Sequence, residues 1–148
     1  MSLEDLYTDF ILSHSQSSPH KGVLDDANLR EEASNLSCGD EVEISMITRD
    51  GKISSVRFDG HGCAISMASA SVMAQLLEGE RIDRAKEIVR NFLGLFRGEK
   101  ADEELLGDAA LLEEVRRFPM RVKCATIAWH AAEEMLTRTD QQKKTGAV

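Results

Sequence analysis

The sequence has no apolar run of membrane-spanning length, no basic patch, no internal repeat and no closely spaced pair of cysteines. Each absence removes a class of protein. A membrane-spanning helix needs about 20 consecutive apolar residues, so no membrane role is expected. A formal net charge of −8 argues against nucleic acid as a partner, because its binders need a basic footprint. A protein partner with a basic docking surface stays open. The first residues, MSLEDLYTDF, are acidic where a signal peptide is basic. The chain is therefore expected to work in the cytoplasm, where thiols stay reduced. Its three cysteines, at 38, 63 and 124, are odd in number and far apart, which argues against a disulfide framework. No C-x-x-C pair is present, so the spacing of common zinc knuckles is missing too.

What is present is a chain of 148 residues, 42% apolar and 30% charged, the profile of one globular domain over 1–148 that buries a core without staples. Leu3, Leu6, Tyr7, Phe10 and Ile11 recur at helical spacing over 3–15, and 15–22 reads as a loop. A polar stretch follows, up to Cys38. Val42, Ile44 and Met46 then alternate with Glu41, Glu43 and Ser45 as a half-buried strand, and ISSVRF returns as its partner after RDGK (49–52). A two-residue Asp-Gly loop would set Ile44 opposite Arg57, so the apolar faces would disagree. A loop longer by one residue pairs Ile44 with Phe58 and Met46 with Val56, with Gly51 in a left-handed position.

Further helices are marked by Ile65, Ala68, Val72, Met73 and Leu76, ending at Gly79, and by Ile82, Ala85, Val89, Phe92, Leu93 and Phe96, ending near Gly98. EKADEELLGD reads as an exposed acidic insert, followed by a short helical piece over 109–117 and a break at Pro119. A last helix runs over 121–137, with Val122, Ala125, Trp129, Ala132 and Leu136 on one face and a frayed tail from about 139. Strands early and helices late give an α+β fold: a small antiparallel sheet packed against helices.

Each cysteine falls at a boundary: before a strand, before a helix, and in the first turn of the last helix. A thiolate at a helix start is favoured by the unpaired N–H groups there. Gly39, Gly60 and Gly62 let the backbone turn tightly beside two of them. Inert core cysteines remain the plain alternative. If the three thiols converge, Asp40 is the natural fourth ligand, because residues i and i+2 of a strand share a face. Three sulfurs and one oxygen in a tetrahedron suit Zn²⁺, and thiolates also suit iron–sulfur chemistry. Such a zinc site sums to −2, which Arg121 and Lys123, flanking Cys124, would offset. The alternative is that this basic pair is simply solvated. His61 reads as a loop or outer donor, His130 as a helix-surface residue, and His14 and His20 as solvent-exposed. Ser66, Ser69 and Ser71 fit ordinary helix-start chemistry, with Ser66 as the cap or as a donor to a sulfur.

The segments SCGDEVEI, GHGCAISMASASVM and RVKCATIAWHA resemble the three cysteine motifs of the U-type iron–sulfur assembly proteins, the IscU/SufU family. The resemblance implies an α+β fold with a small sheet of about three strands on helices. It also implies a metal or cluster site at Cys38, Asp40, Cys63 and Cys124. Lys123 stands where the IscU branch has histidine, and RFPMR stands where that branch has the Leu-Pro-Pro-Val-Lys segment read by a chaperone. The long insert around GLFRGEKADEELLGDAALLEEV is typical of the SufU branch. That branch implies a zinc-dependent acceptor of persulfide sulfur from a SufS-type, PLP-dependent cysteine desulfurase. Its further recipient would be an iron–sulfur scaffold. Cys38 would be the acceptor, leaving zinc as a partner histidine takes its place, and Arg121 would help hold the thiolates or the persulfide. The rivals are a scaffold that assembles an iron–sulfur cluster on the same four residues, and an adaptor domain in which zinc is a structural staple.

Overall fold

The structure, a computed structural model, describes residues 3–35, 37 and 39–146. The alternation around Val42, Ile44 and Met46 forms β2 (Asp40–Arg49), the middle strand of a three-stranded antiparallel sheet in the order β1-β2-β3. Its partners are β1 (Leu29–Asn35) and β3 (Lys52–His61). Val42, Ile44, Met46, Val56 and Phe58 all face the core.

The predicted register holds: Ile44 pairs with Phe58 and Met46 with Val56. The predicted longer loop does not. Arg49 pairs with Lys52 across a two-residue turn, with Asp50 at φ 53° and Gly51 at φ 78°. Two left-handed residues in succession match the right-handed twist of the flanking strands. The extra residue is Ser54 of β3, bulged opposite the step from Ile47 to Thr48, and its Oγ donates to the Ile47 carbonyl at 3.1 Å. Bulges absorb one residue without moving the rest of a register.

The polar stretch before Cys38 proves to be β1. Among its residues LREEASN, only Leu29 and Ala33 are apolar, so it carries little alternating signal. Ser45, expected on the solvent side, is buried because the preceding connection crosses it and Leu24 N–H donates to its hydroxyl at 3.1 Å.

The helices pack on one face of this sheet. They are α1 (Leu3–Gln16), α2 (Ala64–Leu77), α3 (Ile82–Phe96), the short α4 (Glu103–Leu106) and α5 (Val122–Gly146), with 3-10 segments at Gly107–Arg117 and Pro119–Arg121 before α5. Two expectations are corrected here. The acidic insert is not wholly exposed, because Leu105 and Leu106 are buried under it. The last helix does not end near 137 but runs to Gly146. Among the described residues, no helix is long and apolar enough to cross a membrane.

Buried polar side chains tie the helices together. Trp129 stacks on Phe92 at 3.8 Å between ring centroids and 13° between planes, and its indole N–H donates to Ser69 Oγ at 2.9 Å. Ser69 in turn donates to the Ala125 carbonyl at 2.5 Å, locking the first turn of α5 to α2. His14 and His20 are half-buried rather than exposed: His14 Nδ1 lies 2.8 Å from Ser71 Oγ, and His20 Nε2 lies 3.4 Å from Glu78. Burial lowers the His14 pKa, Asp108 opposes this, and His20 adds to it.

Glu78 fastens the end of α2 to β3. Its Oε2 accepts from Val56 N–H at 2.9 Å and from Arg57 at 2.8 Å. Burial would raise its pKa, but those two hydrogen bonds and the His20 and Arg57 charges together lower it. A carboxylate with a depressed folded pKa stabilises above its unfolded value and loses that contribution as pH falls through the folded one. Glu78→Gln should therefore lower the urea midpoint at neutral pH. The gap to wild type should close as pH falls below about 4.3, the ordinary glutamate value.

Candidate metal centre

Three element starts meet at one point. Asp40 opens β2, Cys63 precedes α2, and Cys124 lies in the first turn of α5. One ligand atom from each falls within 4.8 Å of the other two. Asp40 and Cys124 are buried and Cys63 is half-buried. Cys38, the fourth residue of the expected set, lies outside the described residues.

The local sequence explains the convergence. Cys63, with φ −74° and ψ 168°, is itself the N-cap of α2, and its Sγ accepts the Ser66 N–H at 3.4 Å. Ser66 is therefore not the cap. Its hydroxyl lies 3.1 Å from Asp40 Oδ1 and 3.0 Å from the Cys63 carbonyl, and shares its one proton between them. Cys63 N–H donates to the same Asp40 oxygen at 2.9 Å. The end of the sheet is thus stitched to the start of α2 through one carboxylate oxygen. The stitch needs two glycines. A Cβ on Gly62 would come within 2.6 Å of Asp40 Oδ1 and still closer to the Ser66 hydroxyl. Gly60, at φ 117°, lies so near the Glu41 carbonyl that a Cβ there would overlap it.

The other Asp40 oxygen, Oδ2, is buried without a hydrogen-bond partner. A buried anionic oxygen is costly unless a donor or cation meets it. A tetrahedral ion bound to sulfur at about 2.3 Å sets its ligand atoms roughly 3.3–3.8 Å apart. The observed cluster needs only a small contraction to reach that, so Asp40, Cys63 and Cys124 fit such an ion. Two thiols and a carboxylate are also the donor types that zinc and iron–sulfur centres take.

Other predicted residues are placed as follows. Arg121 ends the second 3-10 segment, three residues before Cys124, and Lys123 sits one residue before it; both are exposed. Tyr7 of α1 senses the same region. Burial raises its phenol pKa, Cys63 and Glu114 add to that, and the Arg121 guanidinium opposes them. His61 and His130 are exposed and lie near Glu41 and Glu133, at 3.7 and 3.9 Å. The structure brings neither into the cluster.

One residue escaped the sequence reading. Asn35 ends β1, pairs across the hairpin with Asp40, and is buried. Its Nδ2 lies 3.9 Å from Cys124 Sγ. Only knowledge of β1 and its register would have singled it out.

Concavities of 510 and 590 Å³ lie elsewhere. The first is over the outer face of the sheet around Glu32, Glu43 and Asp59, the second between α2 and α3 around Gln75, Arg84 and Ile88. Neither is lined by Asp40, Cys63 or Cys124. The cluster is therefore not the floor of either cavity.

The family model for the NifU-like N terminal domain matches residues 6–125. The chain is 36% identical over 138 residues to an iron–sulfur cluster assembly scaffold protein IscU from Thermotoga maritima, covering 93% of this chain and 97% of that protein. It is 35% identical over 140 residues to the zinc-dependent sulfurtransferase SufU of Bacillus subtilis, covering 94% and 95%. A crystal structure from Fervidobacterium islandicum, described as an iron–sulfur cluster assembly scaffold for the SUF system, superposes with a TM-score of 0.85 at 38% identity. It covers 90% of this chain and 98% of that one.

Gly62→Ala should displace Asp40 and Ser66 without emptying the core. The expected outcome is a chain with native far-ultraviolet circular dichroism whose Zn²⁺ affinity falls by about tenfold or more, the range seen for losses beside metal ligands. Competition with a chromophoric chelator measures it.

Proposed function

The chain belongs to the NifU-like N-terminal domain family, and from that premise we propose that it serves iron–sulfur cluster assembly as a zinc-dependent sulfur acceptor of the SufU branch. The observation that carries the metal half of this reading is the buried, unpartnered oxygen of Asp40, a residue clustered with Cys63 and Cys124. Lys123 in place of histidine and the insert before Cys124 favour the SufU branch. The relative from Bacillus subtilis carries that activity in its name.

Cys38, Asp40, Cys63 and Cys124 would hold the ion. Bound there, zinc would keep the thiols deprotonated at neutral pH and the set tetrahedral. The remaining steps belong to the chain. Asp40, Cys63 and Cys124 fix three corners from a strand start and two helix starts. Cys38, which stands between β1 and β2 in sequence, is the residue assigned as acceptor. Its thiolate attacks the outer sulfur of a persulfide carried by a PLP-dependent cysteine desulfurase. The sulfur–sulfur bond breaks, the partner's cysteine leaves as a thiolate, and Cys38 carries the persulfide. Arg121 faces negative charge in both states and stabilises it. A downstream iron–sulfur scaffold then takes the sulfur.

The second reading, a scaffold that assembles a cluster on the same four residues, is favoured by the name of the relative from Thermotoga maritima. Purification separates the two: a colourless protein with one zinc per chain supports transfer, and a brown one supports scaffolding. Wild-type protein should raise the turnover of a SufS-type desulfurase and acquire a persulfide. Cys38→Ala should bind the desulfurase but acquire none. Normal sulfur uptake by that variant, or a desulfurase indifferent to the wild type, would overturn the acceptor assignment.

A further inference from the structure

We propose that Asn35 is a positioning residue for Cys124, holding that sulfur in place as a fixed ligand through an N–H···S hydrogen bond; this rests on the metal reading of the site. The register puts Asn35 directly opposite Asp40 at the turn end of the β1–β2 hairpin. Residues paired across two strands project to the same face, so this terminal pair delivers two side chains to one place. Asp40 supplies the carboxylate of the cluster. Asn35 supplies a carboxamide whose Nδ2 lies 3.9 Å from the Cys124 sulfur, with both residues buried.

A buried carboxamide needs partners for its N–H groups, and a sulfur carrying negative charge is a stronger acceptor than a neutral one. Cys63 has an equivalent donor in the Ser66 backbone N–H at 3.4 Å. Each of these two sulfurs therefore accepts an N–H from a fixed part of the fold. Such a bond draws charge from the sulfur and makes it a weaker nucleophile, while fixing its direction toward the ion. Both effects suit a ligand that stays in place. Groups of this kind, one bond removed from the ion, commonly change metal affinity by about 10- to 100-fold when lost. Hydrogen bonds to ligand sulfur also tune the electronic properties of the centre.

The test uses full-length protein loaded with Co²⁺ or Zn²⁺ and read in two ways: the sulfur-to-cobalt charge-transfer band, and the rate of zinc loss to a chromophoric chelator. Asn35→Leu keeps the approximate volume and removes the donor. Asn35→Ala removes it without adding bulk at the hairpin end. Both should shift the charge-transfer band and speed zinc loss by about tenfold, with the thermal midpoint of the metal-free protein unchanged. Asn35→Gln, which restores a donor, should move both readouts back toward wild type. A purely structural asparagine would lower the midpoint of the metal-free chain and leave the band in place. Either donorless variant that folds, loads and matches wild type in both readouts overturns the inference alone. A wild-type chain that takes up neither ion overturns the metal reading and this inference with it.

Discussion

One carboxylate organises the molecule's functional end. Asp40 is the first residue of the central strand, and its Oδ1 accepts from the Cys63 N–H and the Ser66 hydroxyl. Sheet and helix α2 are thereby joined at a single buried anion. Burying a carboxylate is unfavourable unless its oxygens are met by donors or cations. Here the fold meets one oxygen with protein donors and leaves the other without one, in a residue clustered with two cysteines. The glycines at 60 and 62 follow from this arrangement, since side chains there would collide with the strand and with Asp40 itself.

The helical layer places the remaining sulfur. Cys124 rides on the first turn of α5, and that turn is held to α2 by the Ser69 hydroxyl on the Ala125 carbonyl. Ser69 is oriented in turn by the Trp129 indole, which stacks on Phe92 of α3. A chain of contacts therefore runs from the middle of the core to the sulfur. Rigid elements hold sites more tightly than loops do, and two of the three described ligand positions sit at helix starts. The serines following Cys63 in sequence, which look like ordinary helix-start residues, are the polar joints of this arrangement.

Much of the fold was legible because alternation and turn chemistry speak directly. Val42, Ile44 and Met46 against Val56 and Phe58 allow only one register that buries both sets. The bulge at Ile47 was hidden because a loop of three and a bulge beside a loop of two solve the same register problem. Strand β1 was hidden because an edge strand with one face wet needs few apolar residues, and Glu31 and Glu32 dilute those it has. Leu105 and Leu106 were lost among acidic neighbours, since the insert is charged on one side and buried on the other. At the site, spacing alone left three distant cysteines ambiguous, and the motifs around them carried the resemblance. Asn35 could not be read at all, because its meaning lies in being opposite Asp40, a property of pairing rather than of local sequence.

The same geometry bears on why the cysteines would differ in a transfer role. Cys63 and Cys124 head helices, where N–H groups and the helix dipole favour a charged sulfur. A sulfur so stabilised is held well but attacks poorly, because nucleophilicity falls as the thiolate is stabilised. Cys38 stands between β1 and β2 in sequence. In a set of three thiolates, the one with the least support from the fold keeps the most of its reactivity. A site meant only to hold an ion gains from equal support at every ligand. A site meant to accept sulfur gains from one corner held less firmly than the others.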